Sequence, residues 1–367
     1  MLAYFSLTIL VLGFSLVVLN VFWAPRLEVP RQALTHHPLV SVLIPARNEA
    51  HQIEACIQAL QASHYPNFEI LIADDDSTDA TAQLASLCLA KGTQPGRVLA
   101  IMPGLPEAWL GKARACQTLA DAAQGEILIF CDADVIVGAD ALKATVAYFQ
   151  LRKAEALSAL PLQSGGTLFS RAVAAVISQF SIFIALPLPL VPYLASASLS
   201  AGNGQWLAFR RELYDNIGGH EAVKSSRIED VHLARLAKTH GGKLFVVLAA
   251  KQLKVKMYAS FQDARLGFRK NLFPLLGNSW IGLMGCEVLL LCGAAAPLFA
   301  AGEWGLTAAI LIFCLQMLTL ILFAYRQKLS LSSWLFLPLA FLVTPWLLLE
   351  SAIMSSLGRV QWKDRIL

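Results

Sequence analysis

Charged residues are scarce in this chain. They make up 15% of its 367 residues, against about 25% in an ordinary soluble domain. The shortage is sharpest at the two ends. Leu2 to Trp23 runs for 22 residues without a formal charge, long enough for a helix to cross a bilayer. Cysteine motifs are missing too. Cys56, Cys88, Cys116, Cys131, Cys286, Cys292 and Cys314 form no CxxC pair. That argues against a zinc site and a disulfide framework, and free thiols suit a cytoplasmic domain. The net charge of +4 is too mild to point to nucleic acid as a partner and is compatible with an anionic membrane surface. No repeat or low-complexity segment stands out.

What the chain does have is long apolar stretches. Residues 1–24 read as a membrane anchor, since the start lacks the basic residues and cleavage site of a secretory signal. Three more candidate spans lie near 281–300, 305–325 and 334–354, within a C-terminal region of 281–357. Residues 172–200 are also apolar but carry Pro187, Pro189 and Pro192. An interfacial segment is the favoured reading there, a full span the rival. Arg26 and Arg31 follow the first span and predict a cytoplasmic central domain in a multi-pass protein of the cell (inner) membrane. The basic tail, 358–367, conflicts with that orientation if all three C-terminal segments cross.

Between the apolar ends, strands alternate with helices. Residues 25–38 read as a linker and 39–258 as one α/β domain with a mostly parallel, doubly wound sheet. Two strands end in acidic clusters. Ile70-Leu71-Ile72-Ala73 runs into Asp74-Asp75-Asp76-Ser77-Thr78-Asp79, and Ile127-Leu128-Ile129-Phe130-Cys131 runs into Asp132-Ala133-Asp134. Ligands of open α/β sheets bind outside the carboxyl ends of the strands, so both clusters are expected at one crevice. Carboxylates gathered there invite a divalent cation, and the cation invites phosphates.

At this point the chain resembles the inverting glycosyltransferases of family 2, which have a GT-A fold (a Rossmann-like nucleotide-diphospho-sugar transferase domain). The resemblance covers roughly residues 39–270. Its pieces are Ile44-Pro45-Ala46-Arg47-Asn48-Glu49, Asp74 to Asp79, Gly111-Lys112, Asp132-Ala133-Asp134 and Glu229-Asp230, in the family's order. Two more pieces, Gly202-Asn203-Gly204-Gln205-Trp206 and the tail Val360-Gln361-Trp362-Lys363-Asp364-Arg365, resemble membrane enzymes that glycosylate carotenoids, hopanoid-associated lipids or ceramide.

The resemblance implies roles. Asp134 would hold a Mg2+ or Mn2+ ion, and Asp132 the metal or the ribose. Asp75 would read the nucleobase of a UDP-sugar. Asp76 stands where the family commonly has glycine, so the turn is open to local change. Pro45, Arg47 and Glu49 would shape the nucleotide pocket, and Lys112 would meet the diphosphate as a point charge. Asp230 would act as the base that takes the acceptor's proton, with Glu229 orienting it or touching the sugar. For Glu229-Asp230 the plainer reading is helix capping, as it is for Ser77 and Asp79. His220 and His232 read as core or supporting histidines.

Gly202, Asn203, Gly204 and Gln205 suggest a flexible loop near donor or acceptor. Gln262-Asp263-Ala264-Arg265 falls where processive synthases carry QxxRW, but Leu266 replaces the tryptophan, which argues for a single transfer. Phe261, Ala264, Phe268 and Leu272 share a helical face, so 259–280 reads as an interfacial amphipathic region. The expected activity is transfer of a hexose, glucose by the resemblance, to a hydroxyl of a membrane lipid. A polyprenyl-phosphate acceptor, a polysaccharide synthase and an inactive membrane scaffold are the alternatives.

Overall fold

The computed structural model describes all residues except Ala33, Pro103, Leu105, Lys363, Asp364 and Leu367. The tail motif therefore lies partly outside the described residues. The chain divides into two compact units. One, Pro25–Leu162 with Leu190–Lys256, is α/β. The other, Met1–Ala24 with Gln163–Pro189 and Met257–Leu367, is helical.

The strands in chain order are β1 (Val40–Ala46), β2 (Phe68–Asp74), β3 (Gly96–Ala100), β4 (Ile127–Phe130), β5 (Val135–Val137), β6 (Ala156–Leu160), β7 (Leu162–Gln163), β8 (Leu207–Arg210), β9 (Leu244–Leu248) and β10 (Leu253–Val255). Seven of them form one sheet in the order β3-β2-β1-β4-β8-β6-β9. Every pairing in it is parallel except those of β8, which runs antiparallel to both β4 and β6. The sheet is thus mostly parallel, as expected, with one reversed strand that the alternation of elements did not announce. β4 and β9 are buried along their whole length, in keeping with the continuous apolar runs that a covered parallel sheet requires.

Strand order reverses at β1. The chain moves outward through β2 and β3 on one side, then returns to place β4 on the other. The loops after β1 and β4 diverge at that switch point, which opens a crevice at their carboxyl ends. Pro45 lies past the last residue of β1 that pairs with β4, Leu43, so its missing N–H costs no ladder bond there.

Helices Leu2–Trp23, Leu168–Ala185, Trp280–Trp304, Leu306–Arg326 and Leu337–Ser356 of the helical unit are long and apolar enough to cross a membrane. The second has a π-helical stretch, Val176–Phe180, in its middle and is the most enclosed by protein, with 56% of its apolar window buried. It stops at Leu186, ahead of Pro187, as the residue before a proline disfavours helix. Asn20, fully buried in the first helix, is satisfied on every side. Its Nδ2 donates to the carbonyls of Phe183 (3.0 Å) and Leu186 (2.8 Å), and its Oδ1 accepts from the Leu188 amide at 2.9 Å. An amide buried among apolar side chains is tolerable only when paired in this way.

Helix Phe261–Leu275 starts with a Ser260 capping box. Its apolar face, Ala264, Phe268 and Leu272, is buried. It packs against helix Leu337–Ser356, and Ser351 Oγ bonds to the Phe273 amide and the Arg269 carbonyl at 2.9 and 2.7 Å. The amphipathic pattern is real, but this face is covered by protein.

Candidate active site

The site is built where four chain segments meet in the α/β unit. Lys112 is the second residue of helix Gly111–Ala122. A cation in a first turn is disfavoured by the helix dipole. Three carboxylates offset that cost. Lys112 Nζ lies 2.9 Å from Asp132 Oδ1 and 3.2 Å from Glu229 Oε1. Burial acts against its charge, but Asp132, Glu229 and Asp230 together hold its pKa well above the ordinary value.

Glu229 and Asp230 are the first two residues of helix Glu229–Thr239. Acids suit that position, as the helix-start reading expects. Glu229 is buried. Asp230 Oδ2 accepts from the Gly204 amide at 2.8 Å, and Oδ1 from the Val231 amide at 2.8 Å. Burial and the adjoining Glu229 carboxylate push Asp230 up to about 6, against the pull of Lys112 and the two amides. Each carboxylate oxygen accepts two hydrogen bonds with ease, so a lone pair remains for a further donor.

Asp132 and Asp134 form the turn between β4 and β5. Both are half-buried, and the Val135 amide closes the turn on the Asp132 carbonyl at 3.2 Å. Among the described residues there is no ready group of three or more His, Cys, Asp or Glu side chains for a metal. What is present is a pair of half-buried carboxylates in an all-oxygen donor set. That fits an ion such as Mg2+, which takes one or two protein carboxylates and completes its shell with water and phosphate oxygens.

The loops after β1 and β2 are laced together. Arg47 Nη1 donates to the Asp75 and Asp76 carbonyls and lies 3.6 Å from Asp76 Oδ2. The Asn48 amide donates to Ser77 Oγ at 3.0 Å, the Glu49 amide to Thr81 Oγ1 at 2.8 Å, and the Ala50 amide to Asp79 Oδ2 at 3.1 Å. Ser77 and Asp79 thus brace the neighbouring loop, and Asp79 Oδ1 also accepts from the Thr81 amide. Asp76 has φ 58°, a left-handed value that Asp tolerates better than most side chains. A left-handed φ is one that glycine also adopts freely. Asp75 is buried, with its amide on the Ala46 carbonyl at 2.8 Å.

The resemblance implies no role for Asp74. It ends β2, and its Oδ1 is buried with no hydrogen-bond partner among the described residues. A buried carboxylate oxygen left unpaired is costly, which marks a place for a ligand donor. No local sequence signal separates it from Asp75.

The remaining candidates divide. Gly202, Asn203, Gly204 and Gln205 belong to the site, but as a tightly bonded loop and not a flexible one. Gln262 and Arg265 belong to the helical unit, where Arg265 Nε pairs with Glu350 Oε2 at 2.8 Å and its guanidinium lies 5.0 Å from the Trp346 ring centroid. His220 is a core residue. Its Nδ1 lies 2.8 Å from the Tyr214 hydroxyl and its ring stacks edge-on against Phe130. Burial, then Lys112, pulls it down to about 3. His232 is lowered by burial as well.

The fold is a GT-A architecture, and a family match makes the chain a glycosyltransferase. Residues 41–185 match the model of glycosyl transferase family 2, and the chain carries a family 2 domain there. Over 271 residues it is 24% identical to a 4,4'-diaponeurosporenoate glycosyltransferase of Staphylococcus aureus strain MRSA252, covering 72% of this chain and 68% of that protein. The counterpart from strain USA300 is 23% identical over the same length. Among solved structures, mannosyltransferase PcManGT from Pyrobaculum calidifontis, in complex with GDP-Man and Mn2+, superposes with a TM-score of 0.57 at 18% identity, covering 97% of this chain and 99% of that one. At that identity the likeness speaks for the fold alone.

Proposed function

We propose that the protein transfers a hexose, glucose in the first instance, from a UDP-sugar to a hydroxyl group of a membrane lipid, with inversion and in a single step. The observation that carries this reading is the cluster at the carboxyl ends of the strands, in which Lys112 lies within hydrogen-bond range of Asp132 and Glu229 and Asp230 is held beside it by the Gly204 amide. It offers a cation, a metal-capable carboxylate and a base in one place. The resemblance to carotenoid glycosyltransferases supports a lipid acceptor, and the five apolar helices supply a route to one.

In this reading Asp74 and Asp75 receive the nucleobase or ribose, and Asp132 with Asp134 would hold Mg2+ or Mn2+ against the diphosphate. The ion would supply charge stabilisation for the departing nucleotide. The acceptor hydroxyl attacks the anomeric carbon in line. Its C–O bond forms as the bond from that carbon to the diphosphate breaks. The hydroxyl proton passes to Asp230, which must begin ionised. Lys112 transfers its attraction from Asp132 to the diphosphate as negative charge builds there. Glu229 keeps Asp230 basic.

The test is direct. Purified full-length protein with Mn2+, UDP-glucose and lipid extract should release UDP and produce one glycosylated lipid. Absence of release with every UDP-sugar tried would refute the reading. A long polymer as product would replace single transfer with synthesis.

A further inference from the structure

Gly202 and Gly204 press against the start of helix Glu229–Thr239. A Cβ on Gly202 would lie 2.0 Å from the Asp230 carbonyl oxygen and 2.7 Å from the Val231 nitrogen. A Cβ on Gly204 would lie 2.8 Å from Lys112 Nζ and 3.4 Å from Asp230 Oδ2. Neither glycine has a left-handed φ. What each supplies is room, not backbone freedom.

The residues around them tie the loop to the sheet. Asn203 Nδ2 donates to the Ala159 carbonyl in β6 at 3.1 Å, its Oδ1 accepts from the Gln205 amide at 3.1 Å, and its carbonyl accepts from the Trp206 amide at 3.1 Å. The Trp206 indole is fully buried and donates to Thr145 Oγ1 at 3.1 Å. The loop is therefore a fixed reference surface, and the Gly204 amide is aimed from it at Asp230.

We propose that Gly202-Asn203-Gly204 is the positioning element of Asp230: it holds one carboxylate oxygen with the Gly204 amide and, because Gly202 and Gly204 lack side chains, seats the Asp230 backbone and the Lys112 ammonium at contact distance. This rests on Asp230 being the base. It reassigns a loop whose composition suggested sugar or acceptor contact. The charged groups that face Asp230 are Glu229, Lys112 and, through Lys112, Asp132.

Two substitutions separate the parts. Gly202→Ala forces the Asp230 backbone aside, because the obstacle is main chain. Gly204→Ala displaces the flexible end of Lys112 and leaves the amide in place. In full-length protein with UDP-glucose, Mn2+ and lipid extract, Gly202→Ala should lower kcat at least about tenfold while donor KM changes by less than about threefold. Gly204→Ala should move the acidic limb of the kcat/KM profile to higher pH, because Asp230 loses its nearest positive charge. Calorimetry with UDP and Mn2+ checks that Gly202→Ala retains a folded nucleotide site. If it does not fold, the pH limb of Gly204→Ala decides alone.

Wild-type kcat in Gly202→Ala together with an unmoved pH limb in Gly204→Ala would overturn the proposal, provided Asp230→Asn is inactive. Loss of UDP binding in step with kcat in Gly202→Ala, with the Gly204→Ala limb unmoved, would reduce the loop to ordinary structure. An active Asp230→Asn would instead remove the base reading itself, and the two failures are thereby distinguished.

Discussion

At the scale of single residues, the site is an exercise in charge balance. Asp132, Glu229 and Asp230 share one lysine, so one carboxylate is left relatively easy to protonate. Burial selects Asp230. The sign follows. A base whose pKa is raised is ionised only above that value, so kcat/KM should climb through about pH 6 and level off above it. At pH 5 about a tenth of Asp230 is ionised, and activity should be about a tenth of the plateau. A pH–rate series measures this, and a flat profile from pH 5 to 8 would contradict it. Asp230→Asn should cost about 10²- to 10⁴-fold in kcat. Retained activity would point to an acceptor that is already an anion, such as a polyprenyl phosphate. Much of this was legible in the chain, because a strand ending in acids is a local signal. The partners of Lys112 were not. Residues 112, 132 and 229 meet only through the sheet, and nothing near Lys112 in sequence distinguishes an ion-paired lysine from a solvated one.

At the scale of elements, apolar runs located the strands that end in the two acidic clusters, Phe68–Asp74 and Ile127–Phe130. They failed where long-range pairing decides. β8 is a short run, Leu207–Arg210, whose antiparallel place between β4 and β6 leaves no periodicity to read. Helix Phe261–Leu275 shows the same limit from the other side. Its apolar stripe was visible, but its partner was not. Glu350 meets both Arg265 and Arg269 from helix Leu337–Ser356, and Glu350 is only 12% exposed. Losing one partner of such a pair strands the rest. Glu350→Gln should therefore destabilise the helical unit by about 1–3 kcal/mol, read as a fall in melting temperature in detergent. Arg265→Leu with Glu350→Leu should recover part of that loss. Unchanged melting in Glu350→Gln would show the pair to be idle.

At the scale of the whole molecule, the order of the chain constrains the membrane. The α/β unit is made from residues on both sides of helix Leu168–Ala185, and β6 before it pairs with β8 after it in one sheet. A single full crossing by that helix would leave those two strands on opposite sides of the bilayer. It is therefore expected to enter and return, or to lie within protein, in line with its greater enclosure. Cysteines introduced at Thr167 and at Ser196, both exposed, should be labelled from the same side by an impermeant maleimide. Labelling from opposite sides would contradict the expectation. The sequence reading favoured an interfacial segment here because of the prolines. The stronger reason is topological, and it appears only when the sheet is known.

The central claim is that Asp132, Asp134 and Asp230 serve one cleft, the first two for a metal-bound nucleotide diphosphate and the third for proton transfer. Calorimetric titration of UDP into the full-length protein, with and without Mn2+, tests it most directly. Binding should depend on Mn2+, should be lost in Asp134→Ala and should persist in Asp230→Asn, whose glycosyl transfer should nonetheless fall by about 10²- to 10⁴-fold. UDP binding that ignores Mn2+, or that survives Asp134→Ala unchanged, would contradict it.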